Sequence, residues 1–191
     1  MVMELKDILL AVGNLPDVSL GRLMSCADEM HCRKGSMIIE ASLVESDVFF
    51  IGKGIARAFV VSEKGREVTF WIGAEGTAVL SLNSYVSGRP GYENVQLMED
   101  SVLYRLGHDD LFRMYEEDIH VANWGRRFAE REFLLTEERF IPLLFTTASK
   151  RYEHLLKSSP ELLQRVPLEH LASWLGITPV SLSRIRAGIR L

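Results

Sequence analysis

Val166-Pro167-Leu168-Glu169-His170-Leu171-Ala172-Ser173-Trp174-Leu175-Gly176-Ile177-Thr178-Pro179-Val180-Ser181-Leu182-Ser183-Arg184-Ile185-Arg186 is the stretch whose reading decides the fold. Pro167 stands where a helix can start, and Leu168, Leu171, Ala172 and Leu175 form an apolar stripe at helical spacing. Ala172 is small enough for a second helix to cross closely. Gly176 supplies the positive φ of a sharp turn, and Ile177 fills the space between two helices. Thr178 is placed to cap the next helix, and Pro179 fits its first turn, where a missing N–H costs nothing. Leu182 and Ile185 then face a core. Thr178, Val180, Ser181, Ser183, Arg184 and Arg186 are left outward, joined by Arg190 beyond them. Small polar residues followed by arginines suit a helix that enters a major groove. A plain corner of two helices with solvated arginines is the competing reading.

Charge supports the first reading. The chain of 191 residues has a net charge of −4, but residues 146–191 hold seven basic and three acidic groups. The last 46 residues thus carry +4 and the first 145 carry −8. A basic end on an acidic body concentrates attraction for polyanions in one place.

Moving towards the N-terminus, residues 148–156 read as a helix, with Ala148, Tyr152, Leu155 and Leu156 on one face and Thr147 as its cap. Pro142 marks a break or kink. A long helix is expected over 118–140, with Val121, Trp124, Phe128 and Leu135 near heptad a/d positions and Arg131 between them. That seam predicts pairing with a second copy. A short helix is expected over 109–116. Between Gly35 and Leu106 the period changes to that of strands: 36–40, 48–51, 55–61, 67–72, 92–98 and 101–106, with a hairpin turn at 63–66. Short strands at regular spacing argue for a β-barrel or jelly roll, which commonly encloses a small ligand cavity. Residues 4–30 look helical, with a break at 14–17. The fold class is therefore α+β: an N-terminal barrel with flanking helices, a long dimerisation helix and a C-terminal helix-turn-helix. The corresponding domains are 1–117, 118–145 and 146–191.

Composition sets the remaining bounds. Apolar residues make up 47% and charged residues 25%, enough to bury a real core. The first seven residues mix charges and lack the apolar run of a signal peptide, and no stretch approaches a membrane span. A cytoplasmic protein with no membrane partner is expected. Cys26 and Cys32 are read as ordinary thiols.

At this point the sequence resembles the catabolite-activator and fumarate-nitrate regulator (Crp–Fnr) family over almost its whole length. Leu175–Pro179 reads Leu-Gly-Ile-Thr-Pro, and 181–186 reads Ser-Leu-Ser-Arg-Ile-Arg. Val166-Pro167 and the Glu-Leu-Leu-Gln-Arg stretch at 161–165 belong to the same pattern. The resemblance implies a cyclic-nucleotide-binding-type barrel from Gly35, a dimer helix at 118–140 and a DNA-binding helix-turn-helix. A homodimer on two-fold-symmetric duplex DNA, with a small effector at the barrel and contact with RNA polymerase, would follow. Two departures matter. Val180 stands where the family's readers often carry a glutamate, so base preference does not transfer. The family's nucleotide-binding members have a Gly-Glu-Leu turn and an Arg-Ser or Arg-Thr pair. Here 76–82 reads Gly-Thr-Ala-Val-Leu-Ser-Leu, and Arg89 lies in a Gly/Pro loop. Cyclic AMP is therefore not expected, and the effector is open; Gly76, Thr77, Arg89, Tyr92 and Asn94 are the candidate ligand contacts.

Catalysis is not expected. No His-x-His pair exists among His31, His108, His120, His154 and His170, and no nucleophile–base, phosphate-loop or paired-carboxylate pattern stands out. Neither a metal nor another cofactor is expected. The alternative is a ligand-sensing dimer whose DNA-binding end has weakened or been lost.

Overall fold

A computed structural model describes residues 2–188. Two helices, α1 (Leu5–Val12) and α2 (Asp17–Ser25), precede the strands β1 (Ala27–Cys32), β2 (Met37–Ile39), β3 (Val48–Lys53), β4 (Ala56–Val61), β5 (Glu67–Gly73) and β6 (Ala78–Val79). The short helix α3 (Leu82–Ser87) leads to β7 (Asn94–Leu97) and β8 (Ser101–Leu106). The strands form two four-stranded sheets, in the orders β1-β8-β3-β6 and β2-β7-β4-β5, with every pairing antiparallel. This is the expected jelly roll.

The continuous apolar run of β3 is explained by burial on both faces. Phe49 and Ile51 join Ile39, Ala58, Val95 and Leu103 between the sheets. Val48 and Phe50 point the other way, into a second cluster with Leu5, Ile8, Leu9, Leu20 and Leu23. Each such side chain contributes about 1.5–3 kcal/mol when fully buried.

Residues 27–30, read above as helical, are strand. Each of Ala27 to Cys32 pairs with a residue of β8, from Ala27 opposite Leu106 to Cys32 opposite Ser101. Their own pattern does not require this. β8 is already paired to β3 on one side, and β1 satisfies the hydrogen-bonding groups of its other edge.

The helix α4 (His108–Glu117) leads into α5 (Ile119–Phe145). Asp118 caps α5 by accepting from the His120 and Val121 N–H groups, and it also accepts from Ser19 Oγ at 2.8 Å. Helix α5 is not broken at Pro142 but continues through it to Phe145. The seam expectation needs a correction. Val121, Trp124 and Phe128 are buried within this chain, against α1, α4 and β3. Trp124 Nε1 donates to Leu9 O at 2.9 Å, and its ring stacks on Phe128 with centroids 5.7 Å apart. The intervening Arg131 reaches Ala11 O at 2.9 Å. These residues hold the long helix to its own barrel. The opposite side of α5 remains open: Phe133 and Leu144 are 67% and 60% exposed.

Beyond α5 come α6 (Ala148–Ser158), a single turn α7 (Leu162–Arg165), α8 (Leu168–Trp174) and α9 (Pro179–Gly188). Their core is Tyr152, Leu155, Leu162, Val166, Leu171, Ala172, Leu175 and Leu182, continued by Ile55, Ile72 and Met98 of the barrel.

Candidate nucleic-acid interface and barrel cavity

The turn between α8 and α9 forms as its residues dictate. Gly176 has φ +70°, and Ile177 N–H donates to Ala172 O at 2.9 Å. Thr178 Oγ1 accepts from Ser181 N–H at 3.1 Å and lies 2.9 Å from Ser181 Oγ. Leu171, Ala172 and Leu182 are fully buried. A residue not anticipated, Arg151 on α6, locks the turn from beneath: its guanidinium donates to Leu175 O at 2.8 Å.

Opposite Leu182, α9 presents Val180, Ser183, Arg184 and Ala187, at helical spacing and exposed. Arg186 is exposed on the flank. Ser181 is half-buried and its hydroxyl is engaged with Thr178, so these two predicted contacts serve the cap. Arg190 lies outside the described residues.

The helix-turn-helix is docked on the barrel through polar groups at the α8–β5 contact. Thr69 N–H on β5 donates to Ser173 Oγ at 2.9 Å. Arg57, 3% exposed, donates to Glu67 at 2.6 Å and to Gln96 at 2.9 Å, lies over the Phe59 ring, and reaches Nδ1 of His170 at 3.1 Å. Arg165 forks between two barrel carboxylates, Glu75 and Glu99. Burial works against the Glu75 carboxylate, but Arg165 and the N–H groups of Gly54 and Glu75 outweigh it and hold its pKa at about 2.

A cavity of about 420 Å³ lies between the barrel and α5. Ala58, Trp71, Val79 and Val95 line its apolar side, with Glu132, Thr136, Arg139 and Phe140 from α5 across it. Of the five predicted ligand residues, Tyr92 lines this cavity. The others are engaged elsewhere or point away. Gly76 N–H donates to Ile51 O, Thr77 Oγ1 donates to Ala74 O, and Asn94 Oδ1 accepts from Ala41 N–H at 3.0 Å. Arg89 is exposed. Glu93, which the sequence reading passed over, is buried on the cavity wall. A better signal was available on α5, where Glu132, Thr136 and Arg139 recur at helical spacing on one face. Among the described residues, no three His, Cys, Asp or Glu side chains converge as a metal site.

Residues 29–118 match the family model of the cyclic nucleotide-binding domain. The arrangement of barrel, long helix and helix-turn-helix has close counterparts among solved structures. The c-di-GMP responsive global regulator CLP of Xanthomonas campestris superposes with a TM-score of 0.70 at 13% identity, covering 91% of each chain. FixK2 from Bradyrhizobium japonicum gives 0.70 at 19% identity, over 85% of this chain and 83% of that one. The catabolite activator protein of Thermus thermophilus gives 0.59 at 18% identity, over 95% and 85%. The chain has the Crp–Fnr fold. No curated protein matches it by sequence. Within that fold, the cavity lies where the cyclic nucleotide-binding-type domain meets the long helix, and the exposed α9 is the second helix of the helix-turn-helix.

Proposed function

We propose that this Crp–Fnr-like chain is a transcription regulator that binds duplex DNA as a homodimer and responds to a small effector in the barrel cavity. The observation that carries the reading is the outward face of α9. Val180, Ser183, Arg184 and Ala187 are exposed on a helix whose other side is anchored by the fully buried Leu182. A structural corner needs no such face, whereas a major-groove reader does. The basic charge of residues 146–191 points the same way.

The dimer forms through α5, on the face carrying Ala129, Phe133 and Leu144, with Ala122 at its start. In this reading residues 1–117 sense, 118–145 pair and 146–191 bind DNA. Two recognition helices related by a two-fold axis would enter successive major grooves. The protein works in the cytoplasm; among the described residues no helix is long and apolar enough to cross a membrane. No catalytic step belongs to this reading.

Selection of bound sequences from a random duplex pool tests it. The expected product is a two-fold-symmetric site whose half-sites are about 10–10.5 base pairs apart. Enrichment of no sequence, with equal affinity for every duplex, would leave a sensing dimer without an operator.

A further inference from the structure

The charge on the cavity wall says what kind of molecule the cavity takes. Glu93 is only 5% exposed and lines the cavity. Among the described residues its carboxylate has one hydrogen-bond partner, the Tyr92 N–H at 3.0 Å, and no ion pair. A buried carboxylate without a cation is costly, and native proteins rarely leave one so. Nearby, Ser81 Oγ is fully buried and without a partner among the described residues, but it lies behind the wall and does not line the cavity. Both groups pack against Gly91. A methyl group on Gly91 would overlap Ser81 Oγ and stand 3.1 Å from Glu93 Oε1. Glycine at this position lets the backbone pack directly against both side chains.

The other charged groups on the wall come from α5. Glu132 faces the cavity, and burial pushes its carboxyl pKa up against the opposing pull of Arg139 and Arg131. Arg139 also faces the cavity, but its guanidinium lies 5.7 Å from the Trp71 ring centroid and is not paired with Glu93. The wall thus holds two carboxylates and one guanidinium. A phosphate would meet a buried negative charge where a phosphate site needs a donor cluster.

Resting on the reading of this cavity as the effector site, we propose that its ligand is an organic cation, a primary amine on an apolar body, whose ammonium is held by Glu93. An ammonium only donates, and the Glu93 carboxylate only accepts. The apolar body lies against Ala58, Val79, Val95 and Phe140, with the Trp71 ring at its edge. A volume of about 420 Å³ suits a small ligand.

The test is calorimetric titration of the full chain with three probes of one shape: 2-phenylethylamine, 2-phenylethanol and phenylacetate, with cyclic AMP as a fourth. Saturable binding of the amine is expected, at least about tenfold tighter than the alcohol, with no binding of the two anions. Glu93→Gln, which keeps the shape of the side chain, should remove the preference for amine over alcohol. Val79→Phe, which fills the cavity, should abolish binding of both. If the anions bind and Val79→Phe blocks them, the cavity is an effector site but the cation assignment is wrong. An amine preference that survives in Glu93→Gln also overturns the assignment. If no probe binds the wild-type chain, the cavity reading fails and the inference fails with it.

Discussion

His170 Nδ1 lies 3.1 Å from Nη1 of Arg57, a guanidinium that is 3% exposed between the barrel and the helix-turn-helix. An arginine remains protonated at any ordinary pH and can only donate. Nδ1 must therefore accept, and His170 is neutral in the docked state. Burial pushes the His170 pKa below 6.5, and the Arg57 charge lowers it further against the opposing pull of Glu169 and Glu67.

That contact makes docking pH-dependent. Free His170 takes up a proton near 6.5, whereas docked His170 resists protonation until lower pH. Above 6.5 the docked state therefore has its full stability. As the pH falls below 6.5 the undocked state binds more protons and docking weakens, down to the docked pKa. The Thr69 amide, which donates to Ser173 Oγ, reports the opening. Its hydrogen exchange, corrected for the intrinsic rate, should speed up as the pH drops from 6.5 to 5. In His170→Gln that pH dependence should disappear. Equal profiles for the two proteins would show that His170 does not control docking.

Arg165 is the second anchor. Its side chain is 26% exposed, and those of Glu75 and Glu99 are 27% and 31%. The cluster lies between the surface and buried regimes, so Arg165→Ala should cost about 1–2 kcal/mol in denaturant unfolding. The contribution from Glu75 is complete above pH 4.5 and is lost as the pH falls towards about 2. Arg165→Lys should recover only part of it, because an ammonium cannot reproduce the paired bonds that the planar guanidinium makes to each carboxylate. Full stability of Arg165→Ala at neutral pH would mean that the cluster contributes nothing.

The two sides of α5 should respond differently to substitution. Trp124 is 2% exposed and belongs to the chain's own core, so Trp124→Ala should cost about 3–5 kcal/mol in stability. Phe133 is 67% exposed and belongs to the proposed dimer face. Phe133→Glu should give folded monomers in sedimentation, since a charge on a two-fold axis meets its own copy. A Phe133→Glu protein that remains dimeric at micromolar concentration would place the interface elsewhere.

That contrast shows what was legible in the sequence. The helix-turn-helix was readable because its determinants are local: Gly176 at positive φ, Thr178 as cap, and the Leu171–Leu182 core. The seam on α5 was misassigned because the helix is apolar on two sides, and periodicity cannot say which side meets the barrel. Residues 27–30 carry no strand pattern of their own; only β8 makes them one. Nothing local distinguishes Glu93 from Tyr92 and Asn94, the candidate contacts on either side of it. Packing separates them: Asn94 turns to the Ala41 amide, while Glu93 stays inside.

On α9, Arg184 and Arg186 should play different parts. Arg184 shares the outward face with Val180 and Ser183, where a guanidinium can fork onto guanine O6 and N7. Arg184→Ala should lose about 1–3 kcal/mol on the selected site and relax preference at one position of each half-site. Arg186 is exposed on the flank, off the face that Val180, Ser183 and Arg184 share, where a guanidinium would meet phosphate before a base edge. Its loss should weaken all duplexes alike and lower the salt slope by about one unit per protomer. Thr178→Ala supplies the control. It removes the cap on Ser181 N–H, costing about 1 kcal/mol of stability, and should shift affinity equally for every sequence. Binding of each variant is measured on the selected site and its single-base variants across a salt series. If Arg184→Ala loses the same affinity on every sequence, Arg184 meets phosphate. Base reading then passes to Ser183, because the Ser181 hydroxyl is already engaged with Thr178.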